Sequence, residues 1–452
     1  MWKPDLAARK GSRYAALADE IAEAIKTGRL TPGTRLPTQR VLARAVGLNL
    51  TTVNRGYSLA VKRGLISAEV GRGTFVRTQP VPSPVHWPKG AQFAGLDLST
   101  NLPGTAAGPA DLEQVFAGLR DDVAVGLLGY RTAEGCPEQR AAGAEWLDHL
   151  GVTVTRDHLL IVSGAMHGIL ISLLTICQPG DRVLVEELAS PGVIGLCNAL
   201  GLTIDVVPLD SDGVTPDGLE RALEAGAAKA LIVVPNLQNP TLAVMPAGRR
   251  AEIAAILKRR RLFAIENDVY GPLLPDADRL PPLVTLAPAW VCYVTSLSKA
   301  AAPGLRVGWL LPPASLHRRA LDRLQVTSGM TSPILGHIAA QWIASGRARS
   351  MAARLREEAR RRQAVASKVL DGLSGMGHPS ALHVWLKLPE PWRSEEFAAY
   401  AEQHGVAVLS SDSFTPSHGT NRRAVRISLT NGSIDDLARG LTTLRSMLDG
   451  RL

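Results

Sequence analysis

The chain has 452 residues, enough for two or three domains, and 46% of them are hydrophobic. Its longest apolar runs are broken by Gly, Pro or charge well short of the roughly 20 residues of a membrane span, so no membrane partner is expected. The net charge of +9 sits in the first sixth of the chain, because residues 1–80 hold 14 Lys and Arg against 5 Asp and Glu.

That asymmetry points to a module for nucleic acid attached to a neutral body. The four cysteines, Cys136, Cys177, Cys197 and Cys292, have no paired spacing. They argue against a disulfide framework and against a zinc site, so no metal is expected. The opening residues, MWKPDLAARKGSRY, lack the apolar segment of a signal peptide. A cytoplasmic location is the expectation.

Residues 14–28 carry Leu17, Ile21 and Ile25 on a helical period, and Gly28 closes that helix. Then comes PGTRLPTQRVLARAVGLNLTTVNRGYSLAVKRGLI. Pro-Gly marks a turn, Thr38 suits an N-cap, and Val41, Leu42, Ala45 and Val46 form an apolar face. GLN at 47–49 breaks this short helix, and a second runs from Asn49 or Leu50 to about Arg63, where Gly64 ends it. Helix, tight turn with Gly, helix is helix-turn-helix organisation. LISAEVGRGTFV then reads as two strands about a Gly-Arg-Gly turn, a small wing with Arg72 at its tip.

The second helix of such a motif presents its first residues to base edges in the major groove. Here these are Asn49, Leu50, Thr51, Thr52, Asn54 and Arg55. Arg40 and Arg44 on the preceding helix are placed to meet phosphates, and Arg72 to reach the minor groove or a phosphate. The module resembles the GntR-type winged helix over about residues 12–77. Many members of that family carry a basic residue where this chain has Leu50.

Four prolines, Pro80, Pro82, Pro84 and Pro88, make the next stretch a stiff linker. Beyond it, HLLIVSG, DRVLVEE, TIDVVPL, ALIVVPN, LFAIEND and VCYVTSL alternate with helical stretches. Strands apolar on both faces and separated by helices imply a mostly parallel sheet covered on both sides. From about residue 345 a long charged helix precedes ALHVWLKL, GVAVLSS and AVRISLT, an α+β segment.

Within the body, VTSLSKAAAPGLRVGW places one lysine, Lys299, between hydroxyls and Arg306. A lysine amine can form a Schiff base with an aldehyde such as that of pyridoxal 5'-phosphate (PLP). Such a cofactor also needs an acid for its ring nitrogen, donors for its ring oxygen and a cup for its phosphate. Asp268 ends the strand before Lys299, at the carboxyl edge where ligands bind α/β sheets. Tyr270 and Asn239 follow strands and can reach the ring oxygen. SGAMHG at 163–168 offers open N–H groups at a helix start, and Ser296, Ser298 and Arg306 add hydroxyls and a guanidinium. Taken singly each residue is ordinary, a surface lysine or a turn aspartate; their order, each at a strand end, is the signal.

The constellation resembles the fold-type I aminotransferases through GYRTAEGCPEQR, SGAMHGI, PNLQNPT, ENDVYGPL, SLSKAAAPGLRVGW and VRISLT, over about residues 97–448. That resemblance implies Lys299 as the internal-aldimine lysine, Asp268 on the pyridine nitrogen, and Asn239 and Tyr270 on the ring oxygen. It implies Gly164, Ala165, Ser296, Ser298 and Arg306 around the phosphate, Tyr130 reaching it from the other subunit, and Arg426 on an α-carboxylate. Three positions depart from the pattern: Leu242 where glycine usually follows Asn-Pro-Thr, no ring-stacking aromatic near Ser190, and Met166 and His167 in place of a polar pair.

The two halves in this order resemble the MocR subfamily of GntR-type regulators. The implied fold class is multidomain: a winged helix-turn-helix (10–78), a proline-rich linker (79–96), an α/β PLP-dependent transferase-like domain (97–340) and a smaller C-terminal α+β subdomain (341–452). The implied protein is a transcriptional regulator that binds double-stranded operator DNA, forms a head-to-tail homodimer and couples PLP, or an amino acid or amine effector, to operator binding. Retained weak transamination is compatible with it. Two alternatives stay open: an active aminotransferase with an accessory DNA-binding domain, and a sensor that holds PLP without Lys299.

Overall fold

A computed structural model describes residues 2–6, 12–31, 33–62, 65–69, 73–76, 93, 95–102, 113, 126–416 and 423–451. The linker prolines, Gly64 and Arg72 at the wing tip lie outside them. The described residues fall into two compact units, one before residue 77 and one from residue 93 onward.

The first unit holds α1 (Arg13–Lys26), α2 (Gln39–Val46), α3 (Leu50–Lys62) and an antiparallel pair, β1 (Ile66–Glu69) and β2 (Gly73–Val76). Leu17, Ile21, Leu42, Val53, Tyr57, Ile66 and Val76 form its core. Gly56 allows α1 to pack closely on α3: a Cβ there would lie 2.8 Å from Leu17 Cδ2. Gly47 turns the chain out of α2 at φ +67, the left-handed conformation glycine adopts freely. The buried face of α2 is Leu42 and Ala43, whereas Val41, expected on it, is 45% exposed.

In the second unit, the six predicted strands all enter one sheet: β4 (Leu160–Val162), β5 (Arg182–Glu186), β6 (Thr203–Val207), β9 (Ala230–Val233), β10 (Phe263–Asn267) and β11 (Val291–Ser296). A hairpin of β7 (Leu209–Asp210) and β8 (Gly213–Val214) branches off after β6. The seventh strand, β12 (Gly308–Leu311), has no counterpart among the predicted elements; it begins at the last two residues of VTSLSKAAAPGLRVGW. The order is β4-β12-β11-β10-β9-β5-β6, and β12 is antiparallel to both neighbours. Alternate residues serve opposite cores. In β9, Leu231 and Val233 pack with Trp146, Leu257 and Trp342, while Ala230 and Ile232 pack with Ile169, Leu173 and Ile194. This two-sided burial explains the continuous apolar runs.

The C-terminal lobe is an antiparallel sheet of β13 (Gly375–Met376), β14 (His383–Lys387), β16 (Leu409–Ser410) and β17 (Ala424–Ser428), in the order β13-β14-β17-β16. The long helix Arg347–Val369 and the helix Ile434–Leu448 pack on it. Residues 96–98 belong here and not with the large sheet, as a boundary at 97 had implied. There β3 (Leu96–Asp97) pairs in parallel with β15 (Val406–Ala407), and Leu98 is buried against Ile427 and Leu441 in the same core. This return brings Ser99, Thr100 and Asn101 between the lobes.

Gly143, on the helix Pro137–His149, faces Trp309 so closely that a Cβ would sit 2.2 Å from its Nε1. Overpacking of this kind costs about 1–3 kcal/mol. Gly143→Ala is expected to lower stability by that amount in a denaturant titration, with DNA binding by the first unit retained.

Candidate functional site

The parallel strands set the first geometry. β10 and β11 pair in register, Asn267 opposite Val294, so Asp268 and Lys299 leave the sheet at the same carboxyl edge. β9 leads to Asn236 and Asn239, and β4 leads to Gly164. Asp268 is buried and held by three donors. Asn236 Nδ2 and the Gly271 N–H reach its Oδ1 at 2.8 and 3.1 Å, and Tyr293 Oη reaches its Oδ2 at 2.6 Å. A carboxylate with about four acceptor sites keeps one for a further donor.

Lys299 Nζ donates to the carbonyl of Asn101 at 2.5 Å. Burial, and then the Arg426 and Arg306 charges, lower the lysine from 10.5 to about 7. Asn101 Nδ2 faces both Tyr270 Oη, at 3.4 Å, and His383 Nδ1, at 3.1 Å. The His383 Nε2 lies 3.1 Å from the Pro240 carbonyl, which can only accept, so Nε2 carries the proton and Nδ1 accepts. Burial followed by the Arg426 charge holds His383 well below its ordinary value, consistent with that neutral tautomer. Arg426 donates to Asn239 Oδ1 at 3.1 Å and to the Ser99 carbonyl at 2.6 Å, over the face of Phe414.

The expected phosphate cup centres on Gly164, which stands at φ +84 before the helix Ala165–Ile176. A Cβ on it would lie 2.6 Å from Arg306 Nη2, so glycine lets the guanidinium close on the helix start. Arg306 also reaches Ser298 Oγ at 3.4 Å. Ser296, expected to face the phosphate, is fully buried, and its hydroxyl accepts the Ser298 N–H; it braces the turn. His167 turns back, its Nδ1 accepting the Ser163 N–H at 3.0 Å and its Nε2 meeting Thr327 Oγ1 at 3.0 Å.

These residues suit PLP. A buried anion has acceptor capacity to spare, an amine is near neutrality, and a helix N-terminus meets a guanidinium. Two buried polar atoms between the lobes, Asn101 Oδ1 and Arg426 Nε, have no hydrogen-bond partner among the described residues. Both are available to a polar ligand. Tyr130, at 97% exposure, stands apart from this group. The sequence pattern does not single out Asn101, Asn236, Tyr293 or His383. Asn236 lies within PNLQNPT and offers a signal; Asn101 and His383 arrive only by contacts across more than 100 residues.

On the first unit, Arg40, Arg44, Thr51, Asn54 and Arg55 are exposed and Thr52 is partly so. Asn49 does a second job: its Oδ1 accepts the Thr52 N–H at 2.6 Å, capping α3. Arg55 lies 4.9 Å from the Tyr14 ring centre.

Comparison with known proteins agrees with both halves. The model for aminotransferase class I and II matches residues 94–444, and that for bacterial regulatory proteins of the gntR family matches residues 13–76. The uncharacterized HTH-type transcriptional regulator YdeF of Bacillus subtilis is 30% identical, over 99% of this chain and 97% of its own. The chain belongs to the MocR subfamily of GntR-type regulators. Among similar members are the pyridoxine biosynthesis transcriptional regulator PdxR of Corynebacterium glutamicum, 27% identical over 79% of this chain and 78% of its own, and the vitamin B6 salvage pathway transcriptional repressor PtsJ of Salmonella typhimurium, 30% identical over 72% and 73%. A kynurenine aminotransferase of Pyrococcus horikoshii shares the fold, with a TM-score of 0.74 at 21% identity, over 79% of this chain and 91% of its own.

Within this MocR chain, the departure at Leu242 has a structural counterpart. Leu242 holds φ +67, a conformation that costs a non-glycine residue roughly 1–2 kcal/mol. Its side chain is buried in one cluster with Leu237, Tyr270 and Leu273, which offsets the strain.

The lowered lysine sets a pH dependence. Only the neutral amine attacks a carbonyl. Incorporation of PLP at Lys299, followed by absorbance, is expected to speed up with rising pH and level off past a midpoint of about 7. A lysine at 10.5 would still be gaining rate well into alkaline solution. For Asn49→Ala, loss of the cap is expected to weaken the start of α3 by about 1 kcal/mol, read as faster amide exchange at Thr52.

Proposed function

We propose that this regulator holds PLP through Lys299 and uses the occupied site, or its reaction with an amine, to change how it binds operator DNA. What supports this reading is one combination: a helix-turn-helix with exposed Arg40, Arg44 and Arg55, in the same chain as a buried Asp268 and a near-neutral Lys299.

Bound at this site, PLP supplies an aldehyde that captures amines. The chain's own residues prepare for it. Lys299 offers an uncharged amine near pH 7, because burial and two guanidiniums disfavour its proton. Asp268 holds a ring N–H, and Tyr270 and Asn239 flank the ring oxygen. Gly164, Ala165, Ser298 and Arg306 hold the phosphate. Arg426 keeps a buried Nε–H for an effector carboxylate, a planar match suited to guanidinium. Exposed Tyr130 is free to reach a partner subunit's phosphate in a head-to-tail homodimer. An effector regulates only if it binds one arrangement of that dimer better than another.

Operator binding tests the reading, using the upstream intergenic region as DNA and anisotropy as readout. PLP is expected to shift the affinity of the wild type and to leave that of Lys299→Ala unchanged. If Lys299→Ala responds fully, the covalent scheme is wrong. Steady transfer of amino groups from an amino acid to a keto acid, with no effect of PLP on DNA binding, would favour the aminotransferase instead. Arg426→Gln is expected to weaken the response to amino acids by about tenfold or more, as loss of a buried charge partner does, while sparing the response to PLP.

A further inference from the structure

Behind Asp268 stands a second buried charge. Arg250, on the helix Ala247–Arg260, is fully buried. Its guanidinium donates to the carbonyls of Met245 (2.8 Å), Leu280 (3.4 Å), Pro281 (3.3 Å) and Pro235 (3.4 Å), and to Asn236 Oδ1 at 2.6 Å. All of these acceptors are amide oxygens and none is a carboxylate. The acids whose charges bear on it are Glu266 and Asp268. Glu266 accepts the Leu283 and Val284 N–H groups at 2.9 Å each.

The decisive atom is the Asn236 amide. A guanidinium can only donate, so the amide must turn its oxygen toward Arg250. Its nitrogen then faces Asp268 Oδ1, at 2.8 Å. Turned the other way, Asn236 would set oxygen against oxygen and remove one of the donors that hold the carboxyl. Tyr293 Oη and the Gly271 N–H complete the set, so each of these neighbours of the Asp268 carboxyl donates. Three donors fix the position of the carboxyl and leave one of its acceptor sites for a ring N–H.

We propose that Arg250 is a positioning residue for the cofactor: by fixing the orientation of the Asn236 amide, it supplies the donor that holds the Asp268 carboxyl toward the ring nitrogen. This rests on the PLP reading above and adds the element that sets the cofactor's electronics. Arg250 touches no ligand; it acts through one amide flip.

The test compares two probes on the full chain: PLP, and its carbocyclic analogue with C–H in place of the ring nitrogen. Affinity is measured by equilibrium dialysis, and folding by near-UV circular dichroism. The wild type should prefer PLP to the analogue, and Asp268→Asn should lose that preference. Arg250→Met and the near-isosteric Asn236→Leu should each weaken PLP about tenfold, as loss of one hydrogen bond to a charged group does, and leave the analogue unchanged. Arg250→Lys, another donor-only cation, should restore part of the preference. If Arg250→Met does not fold, Asn236→Leu carries the same comparison. Equal losses for both probes would show a merely structural role and overturn the proposal, as would variants that keep the wild-type preference. A wild type that binds neither probe would overturn the cofactor reading itself, and the relay with it.

Discussion

The burial of Asp268 is the constraint on which the C-terminal unit depends. An ionised carboxylate out of water is costly unless it is fully hydrogen-bonded. Its three donors come from three places: Asn236 after β9, Tyr293 within β11 and Gly271 in its own turn. Those donors need their own support, and Arg250 holds Asn236 from behind. A Cβ on Gly271 would strike the carboxylate at 2.3 Å, so that turn admits only glycine. The sheet order places β9, β10 and β11 side by side, which lets one anion collect all these partners.

The positive side of the site follows a different logic. Lys299, Arg306 and Arg426 share a small volume, and the two guanidiniums raise the cost of charging the lysine. Arg426 itself falls to about 10, chiefly through burial. Mutual repulsion is tolerable because the guanidiniums are tied to carbonyls, amides and a hydroxyl, while the amine can shed its proton. The residue with the lowest ordinary pKa of the three is the one that becomes neutral. Such an array favours anionic ligands.

A similar economy of side chains governs the same carboxyl edge further along the sheet. Glu186, at the end of β5, is pushed up to about 8 by burial, against the donors Gln238 and Val234 N–H. Gln238 also bonds the Leu188 carbonyl and accepts from Thr241 N–H and Oγ1. The loop carrying Asn239 is thus pinned at both ends by one glutamine. In the first unit, Asn49 closes the start of α3 with its side-chain oxygen.

Much was legible in the chain alone. The +9 segment, the Gly47 turn, six strands, five of them buried, and the residues at their ends were readable because charge, backbone freedom and burial leave local marks. Lys299, Asp268, Tyr270 and Asn239 stood out because each follows a strand, and a parallel sheet gathers strand ends on one edge. What only the tertiary structure decided has no local mark. Antiparallel β12 hides in a Gly-rich stretch, and Leu96–Leu98 crosses to the far lobe to deliver Asn101 to Lys299. His383 and Arg250 are ordinary in sequence. Their roles come from the need to satisfy buried donors and acceptors, and that need exists only once the chain has closed around them.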